Sequence, residues 1–430
     1  MNMIFRGVVT KIFVTLLLVL CLCSCMPKVT LESQISENES SGPSPYFKEE
    51  LRLISHSAGL IFTTIACSDK GAYEVLINND GTGQMLYYSF ETMEKIILSS
   101  DISTSQEGQV SGVIPETLGG VMPLVADDAV LVMKSGHNKV TNSGSQQVPS
   151  YIYKMGLTGQ EIKTFPLNPL NNIAVDSAIA LGKDYLYYFE YTYSQEINGF
   201  EKSSLIAFDI NTGKTKVVYQ FSAKENVRII GAKDDRLVLI RINDLEKRMY
   251  EILSFSITDN SMVTLANVSL AEQSYCAYED NVYVYDTTTQ NLSKVNIVTA
   301  VKEQICNLNN YVNSAYLYSN AYDGRLVLQC DVKGSELTAY CSYDLADNTL
   351  NEINLYFDYL GDKNFAGIIA ETDKDFLILM GNKAVPTISK GTEGKEYKGT
   401  YYVPQYALIS KTDYWNSVAE YRYFTDTVKY

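Results

Sequence analysis

Short apolar runs that each follow a polar turn recur along most of this chain. Six clear copies lie at 127–132, 183–188, 234–239, 279–284, 323–328 and 374–379, and a weaker copy lies at 58–62. Asp, Gly and Asn favour turns, whereas β-branched residues, Leu and Tyr fit strands. The pattern therefore predicts a repeated turn followed by a β-strand.

A second pattern keeps step with the first and consists of a strand, a tight turn and another strand. Its clearest copy runs from Leu205 to Lys214, with Asp209, Asn211 and Gly213 in the turn. One residue of each copy serves as an anchor: Tyr88, Lys154, Phe208, Phe255, Val295, Tyr343 and Leu408. Successive anchors are 66, 54, 47, 40, 48 and 65 residues apart. Two patterns that stay in step seven times indicate an internal repeat.

The length of the repeat indicates the architecture. Units of this length with about four strands each are typical of β-propeller blades. Sustained helical periodicity is absent from the repeat region, which argues against helical solenoids and parallel α/β sheets. We therefore predict an all-β fold, a β-propeller of about seven four-stranded blades, with six or eight blades as alternatives. Because a ring must close, we expect an N-terminal strand near 51–54 to complete the last blade.

The N-terminal residues have the features of an export signal. Arg6 and Lys11 precede an apolar run, 12–22, that is short for a membrane span. The tetrapeptide Leu22-Cys23-Ser24-Cys25 then resembles a bacterial lipobox. That resemblance implies cleavage before Cys25 and attachment of a diacylglycerol, with acyl chains such as palmitate, to its sulfur. An ordinary signal peptide or a short membrane anchor is the alternative.

The segment that follows Cys25 differs in composition from the rest. Residues 33–45 are Ser-, Glu-, Gly- and Pro-rich with few apolar side chains, which is typical of a disordered tether. About 20 extended residues span roughly 65 Å. The predicted organisation is therefore a signal peptide at 1–24, a lipidated cysteine and flexible tether at 25–45, and a propeller domain at 46–430.

The repeats and the N-terminus together resemble one protein family. The turn Phe208-Asp209-Ile210-Asn211-Thr212-Gly213-Lys214 and the closing segment 406–415 are similar to those of exported, tyrosine-rich propeller lipoproteins of Gram-positive bacteria. The resemblance covers 46–430. It implies the propeller fold and a location at the extracytoplasmic face of the cell membrane, in the bacterial cell envelope.

Charge excludes one class of partner. The chain has a formal net charge of −15, and loss of Arg6 and Lys11 with the signal peptide makes it −17. Nucleic acids and anionic lipids are polyanions, so they would be repelled. The connection to the membrane is therefore expected to come from the lipid on Cys25, and we predict no nucleic-acid partner.

Five cysteines follow Cys25, namely Cys67, Cys276, Cys306, Cys330 and Cys341. Cys330 and Cys341 flank a predicted hairpin turn. A cross-strand disulfide and a pair of buried free thiols are both consistent with that position. Neither CxxC nor a His/Cys cluster is present, so we predict no structural zinc, no other metal and no cofactor.

Catalytic residues are scarce. His56 and His137 are the only histidines, and a Ser-His-Asp arrangement would need one of them. The segment 142–146 lacks the second glycine of a GxSxG motif. Paired carboxylates such as Asp127-Asp128 and Asp234-Asp235 lie in the repeated turns, where solvated turn residues are expected. We therefore predict no catalytic residues.

Three further segments are candidate ligand sites without a complete motif. Asn78 to Gly83 offers oxygen ligands, but it lacks the closing glutamate of a calcium loop, so a hairpin turn is the better interpretation. Two polar insertions, Ser135 to Ser150 and Lys383 to Pro404, are candidate recognition loops because propellers commonly place binding on long loops.

Tyrosines are abundant, with 33 in the chain. Rings that stack on sugars would explain them, but most lie inside predicted strands. Six examples are Tyr185, Tyr187, Tyr188, Tyr191, Tyr283 and Tyr285. Tyrosine is a favoured strand residue and packs well between sheets, so packing is the expected role.

These observations favour a membrane-anchored, extracytoplasmic, non-catalytic binding module whose ligand is an envelope protein, a peptide or a glycan. One alternative is an extracytoplasmic enzyme that cleaves a polysaccharide or a peptide in the propeller channel. Another is a sensor or scaffold subunit of a transporter or signalling complex. The ligand-binding residues are not identified at this stage.

Overall fold

The computed structural model describes residues 50–426, except 56–64, 79–80, 99–112, 115–116, 118–119, 142–143, 161, 169–170, 175–176, 195–198, 223–224, 245–247, 336–337, 360 and 391–395. The chain divides into two compact units. In the smaller unit, the described residues 138–141 and 144–147 belong to a two-stranded sheet of β9 (His137–Thr141) and β10 (Gly144–Val148). The larger unit comprises 44–137 and 148–430.

The larger unit contains seven blades, each built on four antiparallel strands and numbered here one to seven in chain order. Two additional strands extend the sheet of blade one and two extend that of blade three. β1 (Arg52–Ser55) precedes them. Blade one is β2 (Ile65–Ser68), β3 (Gly71–Ile77), β4 (Gly83–Ser89) and β5 (Glu94–Ile97), with β6 (Val113–Ile114) beside β4. Blade two is β7 (Val121–Val125), β8 (Ala129–Lys134), β11 (Tyr151–Gly156) and β12 (Lys163–Pro166). Blade three is β14 (Ile179–Leu181), β15 (Tyr185–Ser194), β16 (Gly199–Asp209) and β17 (Thr215–Ser222), with β13 (Asn171–Ile173) beside β15.

The remaining blades follow the same order. Blade four is β18 (Val227–Lys233), β19 (Arg236–Asp244), β20 (Met249–Ser256) and β21 (Met262–Ser269). Blade five is β22 (Gln273–Tyr278), β23 (Asn281–Asp286), β24 (Asn291–Asn296) and β25 (Lys302–Asn307). Blade six is β26 (Val312–Tyr322), β27 (Arg325–Val332), β28 (Thr338–Asp344) and β29 (Thr349–Ile353), followed by the hairpin β30 (Tyr356–Tyr359) and β31 (Asp362–Phe365). Blade seven is β32 (Ile368–Glu371), β33 (Asp375–Lys390), β34 (Glu396–Ser410) and β35 (Arg422–Tyr423), with the helix α1 (Lys411–Trp415) after β34 and β36 (Thr425–Asp426) after β35.

The prediction of an all-β propeller with seven four-stranded blades is confirmed. All seven sequence anchors lie in the third strand of a blade: β4, β11, β16, β20, β24, β28 and β34. The six clear polar turns join the first strand of a blade to the second. The weak copy at 58–62 lies outside the described residues, and the turn of blade one is instead at Asp69 and Lys70.

A backbone hydrogen bond explains why the two sequence patterns keep step. In six blades, the amide that follows the third strand donates to a carbonyl in the turn between the first and second strands. The pairs are Phe90 to Lys70, Ile210 to Asp184, Ile257 to Asp235, Ile297 to Asp280, Leu345 to Gly324 and Lys411 to Lys374. Both turns of a blade therefore lie at the same end of the ring, called the turn face below. The opposite end, which holds the connections between second and third strands, is called the loop face.

The core consists of seven clusters of buried side chains, one between each pair of neighbouring blades. Alternate residues of a strand point to opposite faces of its sheet. In β15, Leu186 and Tyr188 therefore pack against blade two, while Tyr187 and Phe189 pack against blade four. Both faces of each blade are buried, which explains the nearly continuous apolar runs in the sequence.

The expected closure by residues 51–54 is wrong. Blade seven already contains four strands of its own, β32 to β35. β1 instead pairs antiparallel with β14, with Arg52 opposite Leu181 and Leu53 opposite Ala180, so it adds a fifth, innermost strand to blade three. The alternation of apolar residues in β1 fits either position, because period-two patterning marks a strand without naming its partner.

The C-terminal residues connect the last blade to the first. β36 pairs in parallel with β5, with Thr425 opposite Glu94 and Asp426 opposite Lys95. Just before it, the ring of Phe424 packs edge-on against Tyr88, with centroids 5.3 Å apart. Among the described residues, the core cluster between blades seven and one has the fewest fully buried side chains. The C-terminal strand therefore reinforces an interface with few fully buried apolar side chains.

Candidate functional site

The inner strands of the blades surround a central cavity of about 1340 Å³. Residues of its wall come from β1 and from blades one, two, four, five, six and seven, mainly in the segments 50–54, 65–69, 120–123, 125–127, 231–233, 277–279, 320–322 and 367–371. Beside blade three, Ile173 of β13 also lines the cavity. Pockets for small molecules typically enclose about 300–1,000 Å³. The channel of this propeller therefore has room for a ligand larger than a typical small molecule.

The cavity is asymmetric. On blades one, two and seven, the wall extends along the whole inner strand, whereas blades four and five contribute mainly the last residues of theirs. At blades three to six, serine hydroxyls link neighbouring blades through hydrogen bonds to inner-strand amides. The Ile229 amide donates to Ser177 Oγ at 2.9 Å, and the Leu317 amide donates to Ser274 Oγ at 2.8 Å. The open wall is therefore formed by blades seven, one and two.

The N-terminal strand β1 is part of the channel wall. Leu51 is 2% exposed and lies in the cluster between blades three and four, and Leu53 packs against the same cluster. Ile54 packs against the cluster between blades two and three. The Leu51 amide donates to the Asp234 carbonyl at 2.6 Å, and Arg52 pairs with Asp127 at 2.6 Å. An extended segment thus sits in the channel with its side chains divided between two clefts.

The mouth of the cavity at the turn face is acidic. Its charged wall residues are five acids and two bases: Glu50, Asp69, Asp127, Glu279, Glu371, Arg52 and Lys233. Both bases are paired, Arg52 with Asp127 and Lys233 with Glu279 at 2.8 Å. Glu371 pairs with Lys411 at 2.6 Å. With Lys411 included, three bases face five acids among the described residues, so the mouth keeps a net charge of about −2, which Glu50 and Asp69 supply. This remaining negative charge favours a cationic group.

Tyrosines of blade six complete the wall. The Tyr322 hydroxyl accepts a hydrogen bond from Asn320 Nδ2 at 3.2 Å and donates to the Ile368 carbonyl at 3.4 Å. Burial raises the pKa of Tyr322, so its hydroxyl stays protonated. Tyr318 also lines the cavity. These groups can pack and hydrogen-bond a ligand, but they are not poised to exchange protons near neutral pH.

Gly367 lies at an open part of the wall. A Cβ built at this position meets no atom within 4 Å, and its φ lies outside the left-handed region. The residues that follow, Ile368, Ile369 and Ala370, are partly exposed to the cavity. A larger side chain at 367 would therefore enter the cavity without displacing the protein.

The cavity offers little for nucleophilic or metal chemistry. Cys67 is the cysteine in its wall, and burial of its thiol raises the pKa to about 12, so the thiolate is scarce near neutral pH. Within the described ranges, no group of three or more His, Cys, Asp or Glu side chains is arranged to hold a metal ion. His56 lies outside the described residues, and of His137 only the backbone in β9 is described. The acidic pairs Asp127-Asp128 and Asp234-Asp235 lie in turns, as predicted.

A second polar cluster lies between blades seven and one, away from the cavity wall. Glu74 is 5% exposed and accepts a 2.5 Å hydrogen bond from the Tyr88 hydroxyl, with Tyr406 of blade seven as a further hydrogen-bond neighbour. Burial raises the pKa of Glu74, and Tyr88 and Lys95 oppose this rise. Burial lowers the pKa of Lys95, and Glu74 and Asp426 act in the other direction. These groups satisfy one another at the closing interface.

Several sequence predictions can now be compared with the structure. The lipobox Leu22-Cys23-Ser24 and Cys25 lie outside the described residues. In the part of the chain that is described, no helix is long and apolar enough to cross a membrane. Asn78 and Gly83 flank the connection between β3 and β4, so the hairpin interpretation is confirmed there. The candidate recognition loops at 135–150 and 383–404 lie between the second and third strands of blades two and seven, but strands occupy most of their described residues. β9 and β10 lie in the first, and the paired ends of β33 and β34 form the second.

The cysteines and tyrosines are mainly core residues. All five described cysteines are free thiols, and four of them, Cys276, Cys306, Cys330 and Cys341, belong to or border the cluster between blades five and six. Cys330 and Cys341 lie on adjacent strands of the predicted hairpin. Tyr187, Tyr188, Tyr283 and Tyr285 are buried, whereas Tyr185 and Tyr191 are partly buried against the core. Packing is therefore the role of these tyrosines.

The residues that line the channel were not found from sequence. Its wall joins segments more than 300 residues apart, such as β1 and β32, and no local motif connects them. The sequence feature that comes nearest to identifying the wall is Gly367 with the short strand after it. A glycine before a short strand is too common to identify a channel.

Comparison with known proteins adds the following. No family model and no curated protein matches this chain. Among solved structures, it is similar to an acylaminoacyl peptidase from Pyrococcus horikoshii, with 12% identity, a TM-score of 0.47, and 85% of this chain and 51% of that chain covered. An oligogalacturonate lyase from Vibrio parahaemolyticus has 13% identity and a TM-score of 0.42, with 87% of this chain and 100% of that chain covered. A prolyl endopeptidase has 11% identity and a TM-score of 0.44, with 85% and 55% covered. The chain spans about half the length of the two peptidases, and these values are too low to transfer an activity to it.

Proposed function

We propose that this chain is a lipoprotein at the extracytoplasmic face of a bacterial membrane, and that its propeller binds a ligand in the central channel without converting it. Cys25 carries the diacylglycerol anchor in this proposal, and Leu22, Cys23 and Ser24 direct its attachment. The envelope supplies the ligand, which belongs to a protein, a peptide or a glycan.

The cavity is the observation that carries the binding role. It has about 1340 Å³ of space, a partly exposed apolar wall on blade seven and an acidic mouth. Binding sites are commonly concave and mostly apolar, with a few polar groups that fix orientation. The protonated thiol of Cys67 and the protonated hydroxyl of Tyr322 favour binding over proton-transfer chemistry.

The anchor is tested with two cysteine variants in the native host. Cys25→Ala removes the acylated sulfur, so the protein should move from the membrane fraction to the soluble or secreted fraction. Cys23→Ala is the matched control, because this lipobox position is loosely specified and its side chain is not acylated. Mass spectrometry of the mature N-terminus should find the lipid on Cys25. Equal membrane retention of the Cys25→Ala protein would refute the anchor.

The channel is tested by filling it. Gly367→Leu places a side chain in the cavity, and Gly156→Leu is its matched control, because Gly156 lies outside the cavity wall and a Cβ there makes only an ordinary contact at 3.6 Å. Each protein is crosslinked in its native membrane and purified, and bound proteins, peptides and glycans are identified. A true ligand should fall about tenfold or more with Gly367→Leu alone. Equal recovery of the ligand with Gly367→Leu and Gly156→Leu would refute this site. Cleavage of the recovered ligand would establish the enzymatic alternative.

A further inference from the structure

We propose that the channel binds an extended peptide as an added β-strand on the inner edge of β32, with the N-terminal end of the peptide at the acidic mouth. This inference rests on the proposed binding function and specifies its ligand. The guide is the chain's own β1, which already occupies the channel in this way.

β1 shows how the channel holds a strand. Its backbone pairs antiparallel with the innermost strand of blade three, β14. Leu51 and Leu53 enter the cleft on one side of that blade, and Ile54 packs on the other side. Strand addition of this kind takes affinity from main-chain hydrogen bonds and specificity from pockets for alternate side chains. The inner rim of a blade, with a cleft on each side, is therefore a strand-binding surface.

Two inner strands, β2 and β32, are terminal in their sheets and line the cavity along their whole length. We assign the peptide to β32 because a Cβ at Gly367, just before it, meets no atom within 4 Å. β7 also lines the open wall, but it contains Pro123, which has no amide donor. Blade seven also lies nearly opposite blade three in a ring of seven, so a peptide on β32 would face β1 across the cavity.

The polarity of the peptide follows from the strand direction. β32 runs towards the turn face and ends at Glu371, next to the turn before β33. An antiparallel partner therefore runs from the turn face towards the loop face. Its N-terminal end lies nearest the mouth, as the N-terminal end of β1 does. The mouth contains Glu50 and Asp69 beside the ion-paired Glu279 and Glu371, so its remaining negative charge favours a free α-amine or a Lys at the peptide's N-terminal end.

The probe is a pooled library of synthetic peptides of about six residues, the length that spans the inner strand. Each begins with Lys, has a free N-terminus, and alternates Val, Ile, Leu or Phe with Ser or Thr. A second pool carries N-methyl groups on alternate amides, and a third is N-acetylated with Glu first. The full-length Cys25→Ala protein is incubated with each pool, and retained peptides are identified by mass spectrometry and titrated individually.

We expect peptides from the first pool to be retained, with affinities lowered about tenfold or more by N-methylation and by the acetylated Glu start. Gly367→Leu should weaken binding by a similar factor, and Gly156→Leu should leave it unchanged. Thermal unfolding of both variants checks that the fold is intact. Equal retention of N-methylated peptides would overturn strand addition, and so would the absence of retained peptides.

A parallel panel of neutral and uronic-acid oligosaccharides separates this inference from the proposed function. Oligosaccharides that bind in a Gly367-dependent manner, with no bound peptide, overturn the peptide ligand and leave channel binding in place. If neither peptides nor oligosaccharides bind in a Gly367-dependent manner, and Gly367→Leu also leaves ligand recovery from the native membrane unchanged, both proposals are overturned.

Discussion

The Tyr88 hydroxyl donates a hydrogen bond of 2.5 Å to the buried carboxylate of Glu74 at the interface where the last blade meets the first. Lys95, also buried, lies near the same carboxylate and over the ring of Tyr88, with Nζ 5.0 Å from the centroid. The other blade interfaces have more fully buried apolar side chains, and the one between blades two and three also has a buried hydrogen bond, from Tyr188 to Glu190. Ring closure therefore combines a small set of fully buried apolar side chains with buried polar interactions.

Glu74→Gln should reduce the pH dependence of stability. Because burial raises the pKa of Glu74 above its ordinary 4.5, the folded state holds its proton more tightly than the unfolded state. The contribution of Glu74 to stability therefore decreases as the pH rises from about 4.5 to the raised value. Denaturant unfolding across this range should give a weaker decline for Glu74→Gln than for wild type. Glu94→Gln, an exposed neighbour on β5, is the control and should leave the profile unchanged.

The contribution of Lys95 to stability changes with pH in the opposite direction. Burial lowers the pKa of Lys95 below its ordinary 10.5, so the unfolded state binds the proton more tightly. Its contribution therefore increases with pH between the lowered value and 10.5. The acidic window tests Glu74 and the alkaline window tests Lys95, so one pH series separates them. A Glu74→Gln profile that is parallel to wild type just above pH 4.5 would contradict the assignment.

The N-terminal strand should contribute stability without being required for closure. Leu51→Ala removes a fully buried side chain and should cost about 2–5 kcal/mol. Arg52→Ala removes an exposed ion pair with Asp127 and should cost at most about 1 kcal/mol. Deletion of 46–56 should lower the melting temperature and keep a single cooperative transition, since blade seven has four strands of its own. Measurement is by circular dichroism and calorimetry. A melting temperature that Leu51→Ala and the deletion both leave unchanged would contradict this.

The sequence was most informative where a local rule decides the structure. The turn after Phe208 needs an Asp that accepts hydrogen bonds from backbone amides and a residue that tolerates positive φ. Asp209 and Gly213 meet these needs, and both can be recognised in the sequence. The partner of β1 depends instead on whether Leu51 fits between blades three and four, which only the folded ring determines. The same holds for the cavity wall and for the two-residue strand β36.

Removal of the C-terminal contact should weaken closure. Phe424 borders the cluster between blades seven and one and packs on the rings of Tyr88 and Phe90. Phe424→Ala should therefore cost about 1–3 kcal/mol. The neighbouring Tyr423 is 58% exposed, and Tyr423→Ala should lie within about 0.5 kcal/mol of wild type. Equal effects of the two substitutions in urea unfolding would show that the C-terminal segment does not reinforce the ring.

Two turn glycines provide a matched test of the repeat signature. Gly213 and Gly324 have φ values of +75° and +72°, so alanine is strained at both. At Gly324 a Cβ meets no atom within 4 Å, and Gly324→Ala should cost only the backbone term, about 1 kcal/mol. At Gly213 the Cβ would overlap the ring of Phe165, an outer-strand residue of blade two that packs edge-on against Phe208.

Gly213→Ala must therefore displace Phe165 as well as strain the backbone, and it should cost about 2–4 kcal/mol. The double variant Gly213→Ala with Phe165→Ala should lose the clash and recover part of the difference, so the two substitutions should be less than additive. Urea unfolding of the four proteins gives the coupling energy directly. If Gly213→Ala and Gly324→Ala cost the same, the glycine of this turn serves backbone conformation alone, and contact with the neighbouring blade does not constrain it.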